Sequence, residues 1–315
     1  MMPTDKMSNS PYSIRNYRPE DLDRYALLFT EAEKTEPTGH CVSPQAIAER
    51  LEQPNYSPEQ DLFVVKIDGD IIGYIDIKPE VGIERVILDC WVHPEHRRRG
   101  LATGLLNYAM RRAKDLEAKV VHVNIPEKNT VAKKALSRLG FHPVRRFSEL
   151  MLDMADVRWP DTSRVAPNCR SLKRGEEDNL TQIQNRAFAG HWGYNPNTVE
   201  EVTYRTNLSG CSPKDVVLAC DGDKIVGFCW TRVAGVGGVA DERKGLIHMI
   251  GSDPDYRGRG VGKKVLLAGL AHLKNKGVKV VVLSMDSENK AAFALYRSAG
   301  FKVQTGTLWY EKVVN

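Results

Sequence analysis

One short basic run, used twice, constrains this chain more than any other feature. It reads Arg97-Arg98-Arg99-Gly100-Leu101-Ala102 in the first half and Arg257-Gly258-Arg259-Gly260-Val261-Gly262 in the second. Each copy follows an apolar, strand-like segment and a Pro turn. Each opens a stretch whose apolar residues recur at three- and four-residue intervals. A strand, a basic glycine turn and a helix start together make a cradle for phosphate. The first helical turn carries unsatisfied N–H groups and a partial positive charge, and glycine lets an anion approach the backbone.

Two common phosphate motifs fail on spacing. A Walker A loop needs four residues between its first glycine and a Gly-Lys pair, then a hydroxyl. Gly258 to Gly262-Lys263 leaves three, and Lys264 stands at the hydroxyl position. A dinucleotide fingerprint needs G-x-G-x-x-G, whereas Gly258, Gly260 and Gly262 give G-x-G-x-G. Both copies fit Arg-x-x-Gly-x-Gly/Ala, and the match extends beyond the loop. Pro94 to Phe141 aligns with Pro254 to Phe301 without an insertion, pairing Asn129 with Asn289 and Gly140-Phe141 with Gly300-Phe301. The hexapeptide, together with Asn289, Tyr296 and the Gly300-Phe301 turn, resembles the acetyl-CoA loop and the last-helix signature of the GNAT acyltransferase superfamily.

At 315 residues the chain exceeds a typical single domain, and the repeat divides it into two. The reading is a first domain over 11–156, a linker over 157–167 rich in proline and polar residues, and a second domain over 168–315. A net charge of +5 is modest, and much of the local excess sits in the two loops and Arg111-Arg112. That suits a polyanionic cofactor, and the interleaved basic and aromatic pattern of a nucleic-acid surface is missing. No apolar run approaches membrane-spanning length, and Met1 to Ser10 is polar, so the expectation is a cytoplasmic protein, monomer or homodimer. The six cysteines form no C-x-x-C pair and have no His at zinc-ligand spacing, which argues against a metal and for free thiols.

In the first half the pattern predicts a strand, two helices, a β-hairpin, the strand leading into the glycine loop, its helix, a further strand, a last helix and a closing strand; the second half repeats this order from one helix and the hairpin onward. The closing strands fall near Ser148 to Leu152 and Thr307 to Val313. The fold class is α/β, an α+β mixed sheet with helices on both faces, which is also what a tandem of two GNAT-like domains implies.

Acyl transfer from a thioester to an amine needs a grip on the donor, a neutral amine, oxyanion stabilisation and a proton for the departing thiolate. The resemblance places the pyrophosphate of acetyl-CoA against Arg257, Gly258, Arg259, Gly260, Val261, Gly262 and Lys263, with Ile250, Ser252 and Asn289 beside it. The first-half counterparts are Val92, Arg97, Arg98, Arg99, Gly100, Leu101, Ala102 and Asn129. It makes Tyr296 the general acid, and a phenol of ordinary pKa ~10 suits a thiolate leaving group. The same count from Asn129 lands on Leu136, which has no proton to give, so the first domain is expected to be non-catalytic.

The base departs from the family pattern. Many members carry a Glu on the strand eleven residues before the loop's first Arg; here that position is Leu246, or Val86 in the first half. His248 stands two residues on, sharing a face with Leu246 and Ile250 by strand alternation, and is the candidate base. Asp241 and Glu242 are water-relay alternatives. The stretch Phe188 to Tyr194 either lines an acceptor pocket or forms a packed turn.

The two-domain layout and Asn185-Arg186-Ala187-Phe188-Ala189-Gly190-His191 resemble the mycothiol synthase group of tandem members, which carries the strand Glu missing here. The implied function is an acetyl-CoA-dependent N-acetyltransferase acting on a primary amine through its second domain, a small-molecule acceptor being favoured over a protein amine. The alternatives are a non-catalytic acyl-CoA sensor and a protein N-acetyltransferase.

Overall fold

Strand alternation sends neighbouring side chains into different cores, and each half of this chain uses both faces of its sheet. The computed structural model describes residues 5–6, 11–36, 43–157, 159, 169–234 and 244–314. Cys41, the Gly235–Gly238 connection, Asp241, Glu242 and all of the 157–167 linker but Val157 and Trp159 lie outside the described residues. Two compact units emerge: Met1–Arg145 with Leu308–Asn315, and Arg146–Thr307.

The first unit contains β1 (Asp5–Lys6), β2 (Ser13–Asn16), α1 (Leu22–Thr35), α2 (Pro44–Leu51), α3 (Pro58–Asp61), β3 (Leu62–Ile67), β4 (Asp70–Glu80), β5 (Arg85–Val92), α4 (Leu101–Asp115), β6 (Val120–Pro126) and α5 (Thr130–Arg138). Phe63 and Val65 of β3 join the core under α4, with Leu101, Leu105 and Ala109. Leu62 and Val64 face the other way, into the core of Tyr25, Phe29, Ile47 and Leu51 from α1 and α2. From β1 to β5 each strand pairs antiparallel with the next, and β5 pairs parallel with β6.

In the second unit, β7 (His142–Asp153) contributes its residues from Arg146 onward. Then follow β8 (Cys169–Ser171), α6 (Glu177–Phe188), α7 (Val199–Thr206), β9 (Val216–Asp221), β10 (Lys224–Ala234), β11 (Lys244–Ser252), α8 (Val261–Asn275), β12 (Val280–Asp286), α9 (Lys290–Ser298) and β13 (Lys302–Val313). One core joins Val265, Leu266, Leu270 and Tyr296 of α8 and α9 to the sheet. The opposite face packs Leu180, Ile183 and Val202 of α6 and α7 against Leu218, Phe228 and Trp230. The mixed sheet and two-faced layering are those expected. The repeat does not reveal α3 or α7, both short, nor the three-residue strand β8. No helix among the described residues is long and apolar enough to cross a membrane.

The closing strands are exchanged. The sequence reading gives each half its own, whereas residues 147–153 of β7 pair with β12 in the second unit. The C-terminal residues 308–315 belong to the first unit, where β13 lies beside β6. There Val314 N–H donates to the Lys119 carbonyl at 2.9 Å, and Nε2 of buried His122 meets Glu311 at 2.8 Å. Periodicity identifies a strand but carries no record of which sheet receives it, which is why the exchange is not legible in the sequence.

Arg85 donates to Nδ1 of His122 at 3.2 Å, so the ring proton belongs on Nε2, facing Glu311. Glu311→Ala removes the carboxylate that Nε2 of buried His122 faces and should cost about 1–3 kcal/mol. Hydrogen exchange should accelerate in β6 and stay unchanged in β12; acceleration in β12 alone would place this segment in the second unit.

Candidate active site

The parallel pairing of β11 with β12 covers only Lys244↔Val280 to Ile247↔Leu283. Beyond Ile247 the two strands part, and β12 continues along β7 through Asp286↔Phe147. On its other edge β11 stays paired with β10 through Ser252. Peptide groups of residues 248–252 on the split-facing edge thus have no strand partner, and such groups demand hydrogen bonds from something else. A bulge sits where the split opens: Thr231 pairs with Ile247 and Trp230 with Met249, leaving His248 as the extra residue.

The bulge breaks the alternation expected to put Ile250 on the face of His248. Ile250 packs with the same core as Ile247. His248 instead meets Trp230 edge-on, with ring centroids 5.3 Å apart, and Trp230 belongs to the opposite core. One inserted residue carries every later side chain to the other face. His248 is solvent-accessible. Desolvation, with the charges of Arg205 and Arg232, lowers its pKa to about 4, so the imidazole is neutral near pH 7.

The glycine loop follows. Arg257 is extended (φ −63°, ψ 150°), Gly258 has φ +75°, and Gly260 caps α8 at φ +79°, ψ 1°. An L-residue side chain is strained at both glycines, although neither has a neighbour within 4 Å of an added Cβ. Open space on one side and left-handed backbone on the other leave the loop accessible. The first helical bond is Lys264 N–H to Gly260 O at 3.0 Å, and no side chain caps the helix. The N–H groups of Val261, Gly262 and Lys263 precede it, in the arrangement that receives phosphate. Arg257 does not turn toward them: it donates to the Ala187 carbonyl at 2.8 Å and so ties the loop to the end of α6. Arg259 lies over the Tyr256 ring at 5.1 Å. Asn289 caps α9, accepting from Ala292 N–H at 3.0 Å.

Tyr296 is 6% exposed, edge-on to Phe301 and in the core that contains Ile247, Leu283 and Met285 at the root of the split. Burial, with Cys229 adding, raises its pKa above that of a free phenol, so it keeps its proton throughout the neutral range.

Beyond the bulge, the segment Phe188 to Tyr194 is ordered by aromatic contacts and by a polar network that the sequence does not announce. Phe188 contacts His191 at 5.1 Å and Tyr194 at 5.2 Å. Tyr194 OH donates to Asn185 Oδ1 at 2.7 Å, Asn197 Nδ2 donates to Gln184 Oε1 at 3.1 Å, and Arg205 donates to Asn197 Oδ1 at 3.1 Å. The segment is a turn held by these contacts, with Ala189, Gly190 and His191 exposed. Gly251 permits it, because an added Cβ would stand 2.9 Å from Ala187 Cβ.

The first unit repeats the loop but not its surroundings. Its β5–β6 pairing likewise ends early, at Leu88↔Val123. Arg97 is extended and Gly100 has φ +78°, while Arg98 takes φ +62° where the other loop uses Gly258. N–H groups of Leu101 and Ala102 lie ahead of the first helical bond, Gly104 to Gly100 at 3.0 Å, and Asn129 caps α5. Arg97, however, donates to the Val92 carbonyl at 2.8 Å and pairs with Glu36. Arg99 donates to Tyr12 OH. The β4–β5 ladder runs from Gly73↔Val92 to Glu80↔Arg85 without a bulge, and Leu136 is buried at the position of Tyr296.

The acetyltransferase (GNAT) family model matches residues 25–141 and 178–301, one match in each half. A mycothiol acetyltransferase of Streptomyces coelicolor is 28% identical over 304 residues, covering 95% of this chain and 94% of its own. That of Nocardia farcinica is 30% identical over 244 residues, covering 74% and 77%. In fold, the chain is similar to a GCN5-related N-acetyltransferase from Sphaerobacter thermophilus (TM-score 0.71, 23% identity, 97% and 96% coverage). It is also similar to a tandem GNAT protein of the clavulanic acid pathway (TM-score 0.68, 16% identity, 96% and 99% coverage). The two matches span well over half the chain, which belongs to the GNAT acetyltransferase family.

Proposed function

We propose that this acetyltransferase moves an acetyl group from acetyl-CoA to the primary amine of a small molecule, and that the second unit is where it does so. The observation that carries the reading is the conjunction, in that unit alone, of a split parallel pair, a bulge bearing His248 and a phenol at Tyr296. The uncapped start of α8 and the unpaired edge of β11 fit a pyrophosphate joined to an amide-bearing arm. Val261, Gly262 and Lys263 would hold the phosphates, and residues 249–252 the arm. Bound there, acetyl-CoA supplies an activated acetyl thioester. The relatives named mycothiol acetyltransferase support a small-molecule acceptor over a protein.

Magnitudes decide what His248 can do. An alkylammonium of pKa ~10 faces an imidazole whose pKa is lowered, so proton transfer from a free ammonium to His248 is uphill. His248 therefore does not strip a free ammonium; the amine arrives neutral. The imidazole accepts a hydrogen bond from the amine N–H and takes the proton as N–C bond formation makes that N–H acidic. Tyr296 holds a proton on its phenol oxygen for the departing sulfur. The first unit keeps a loop of the same backbone geometry without a donor, and we assign it no turnover.

Three outcomes follow. Tyr296→Phe should lower kcat by roughly 10²–10⁴-fold with little change in the KM for acetyl-CoA; unchanged kcat would reduce Tyr296 to a core residue. For His248, the neutral form persists down to about pH 4 and is lost only below it, so kcat/KM should rise with pH along the amine's own titration. His248→Gln should reduce kcat/KM by about 10²-fold and leave that limb in place, whereas loss of a limb near pH 6.5 would show that His248 itself titrates there. Gly260→Val forces a branched residue to φ +79° and should abolish turnover, whereas Gly100→Val should leave it within about twofold. The reverse pattern would move the chemistry to the first unit.

A further inference from the structure

The turn that leads into the first unit's glycine loop reads His93-Pro94-Glu95-His96. One nitrogen of each imidazole and one Glu95 oxygen lie within 4.8 Å of one another, a potential donor set among the described residues. We propose that these three side chains bind a divalent transition-metal ion of the zinc class.

The donors are two neutral-capable imidazoles and a carboxylate, the borderline set that zinc-class ions take in preference to magnesium or calcium. Each imidazole is held by its other nitrogen, as metal-ligating histidines are. Glu31 of α1 takes His93 Nε2 at 3.0 Å, and Tyr12 OH meets His96 Nδ1 at 3.2 Å. That leaves His96 Nε2, and His93 Nδ1, which accepts only a 3.3 Å bond from Glu95 N–H. Glu95 is exposed, and both histidines are half-buried. Four donors at zinc–ligand distances of about 2.0–2.1 Å stand roughly 3.4 Å apart, so donors up to 4.8 Å apart must close by up to about 1.4 Å, within reach of χ rotation. Two imidazoles and a carboxylate leave a fourth position for water.

The second unit shows that the turn itself does not ask for these residues. At the same positions it has Asp253, Asp255 and Tyr256, and Asp253 accepts from Asp255 N–H at 3.0 Å, the capping job that His93 performs with a longer bond. The turn can therefore be capped without a histidine at either position. An ion here would join α1, the turn and Arg99, whose guanidinium bonds Tyr12 and the Glu95 carbonyl. It would fix the entry to Gly100.

The test uses the full chain, stripped with chelator and titrated with Zn²⁺ by calorimetry and with Co²⁺ by visible absorption. The expected result is one equivalent per chain, with a low-coordinate Co²⁺ band and no thiolate charge-transfer band. The double variant His93→Asn, His96→Tyr, which brings the turn close to its second-unit counterpart, should bind more than roughly 100-fold more weakly while its metal-free melting temperature is unchanged. Glu95→Gln, at an exposed position, provides the same test with no folding risk and should weaken binding at least roughly tenfold. Wild-type chain that takes up no stoichiometric ion, variants that bind as tightly as wild type, or a thiolate band would each overturn the proposal.

Discussion

The second unit depends on a parallel strand pair that is allowed to fail. Had β11 and β12 remained paired to their ends, their peptide groups would satisfy one another and the sheet would offer nothing to a ligand. Pairing stops at Ile247↔Leu283, and the bulge at His248 opens β11 just there. The unpaired edge, the glycine loop and the uncapped helix then follow one another along 15 residues of chain, 249–263. An extended thioester arm leading to a pyrophosphate matches that sequence of surfaces; in the function we propose, the backbone grips the cofactor and the side chains of His248 and Tyr296 serve proton transfer.

A loop alone does not make a catalyst. The two glycine turns share their backbone angles closely, φ +78° against +79° at the cap, yet only one is accompanied by a bulge and a phenol. In the first unit Arg97 bonds the Val92 carbonyl, occupying an acceptor at the end of the strand, whereas Arg257 reaches across to Ala187. The side chains of Arg97 and Arg257 bond backbone carbonyls, and the N–H groups behind them are the phosphate donors we propose.

Much of this is legible in the sequence. The repeat, the hairpins, the loop helices and the candidate positions of His248 and Tyr296 can be read because each rests on local spacing. What escapes is non-local. Ser148 and Thr307 are both in strands, but the exchange of β7 and β13 depends on which sheet edge each meets. Alternation puts Ile250 on the face of His248, which is wrong because a bulge adds one residue where strict alternation allows none. Asn197 and Arg205, which complete the network behind Tyr194, sit on or beside a two-turn helix, α7, too short to stand out from its surroundings.

The central claim is that the donor lies along the split of the second unit. Hydrogen exchange measured with and without a non-reactive thioether analogue of acetyl-CoA tests it most directly. New protection is expected at the N–H groups of Val261, Gly262 and Lys263 and along residues 249–252. Protection confined to Leu101, Ala102 and residues 89–92, or to neither set, would contradict the claim.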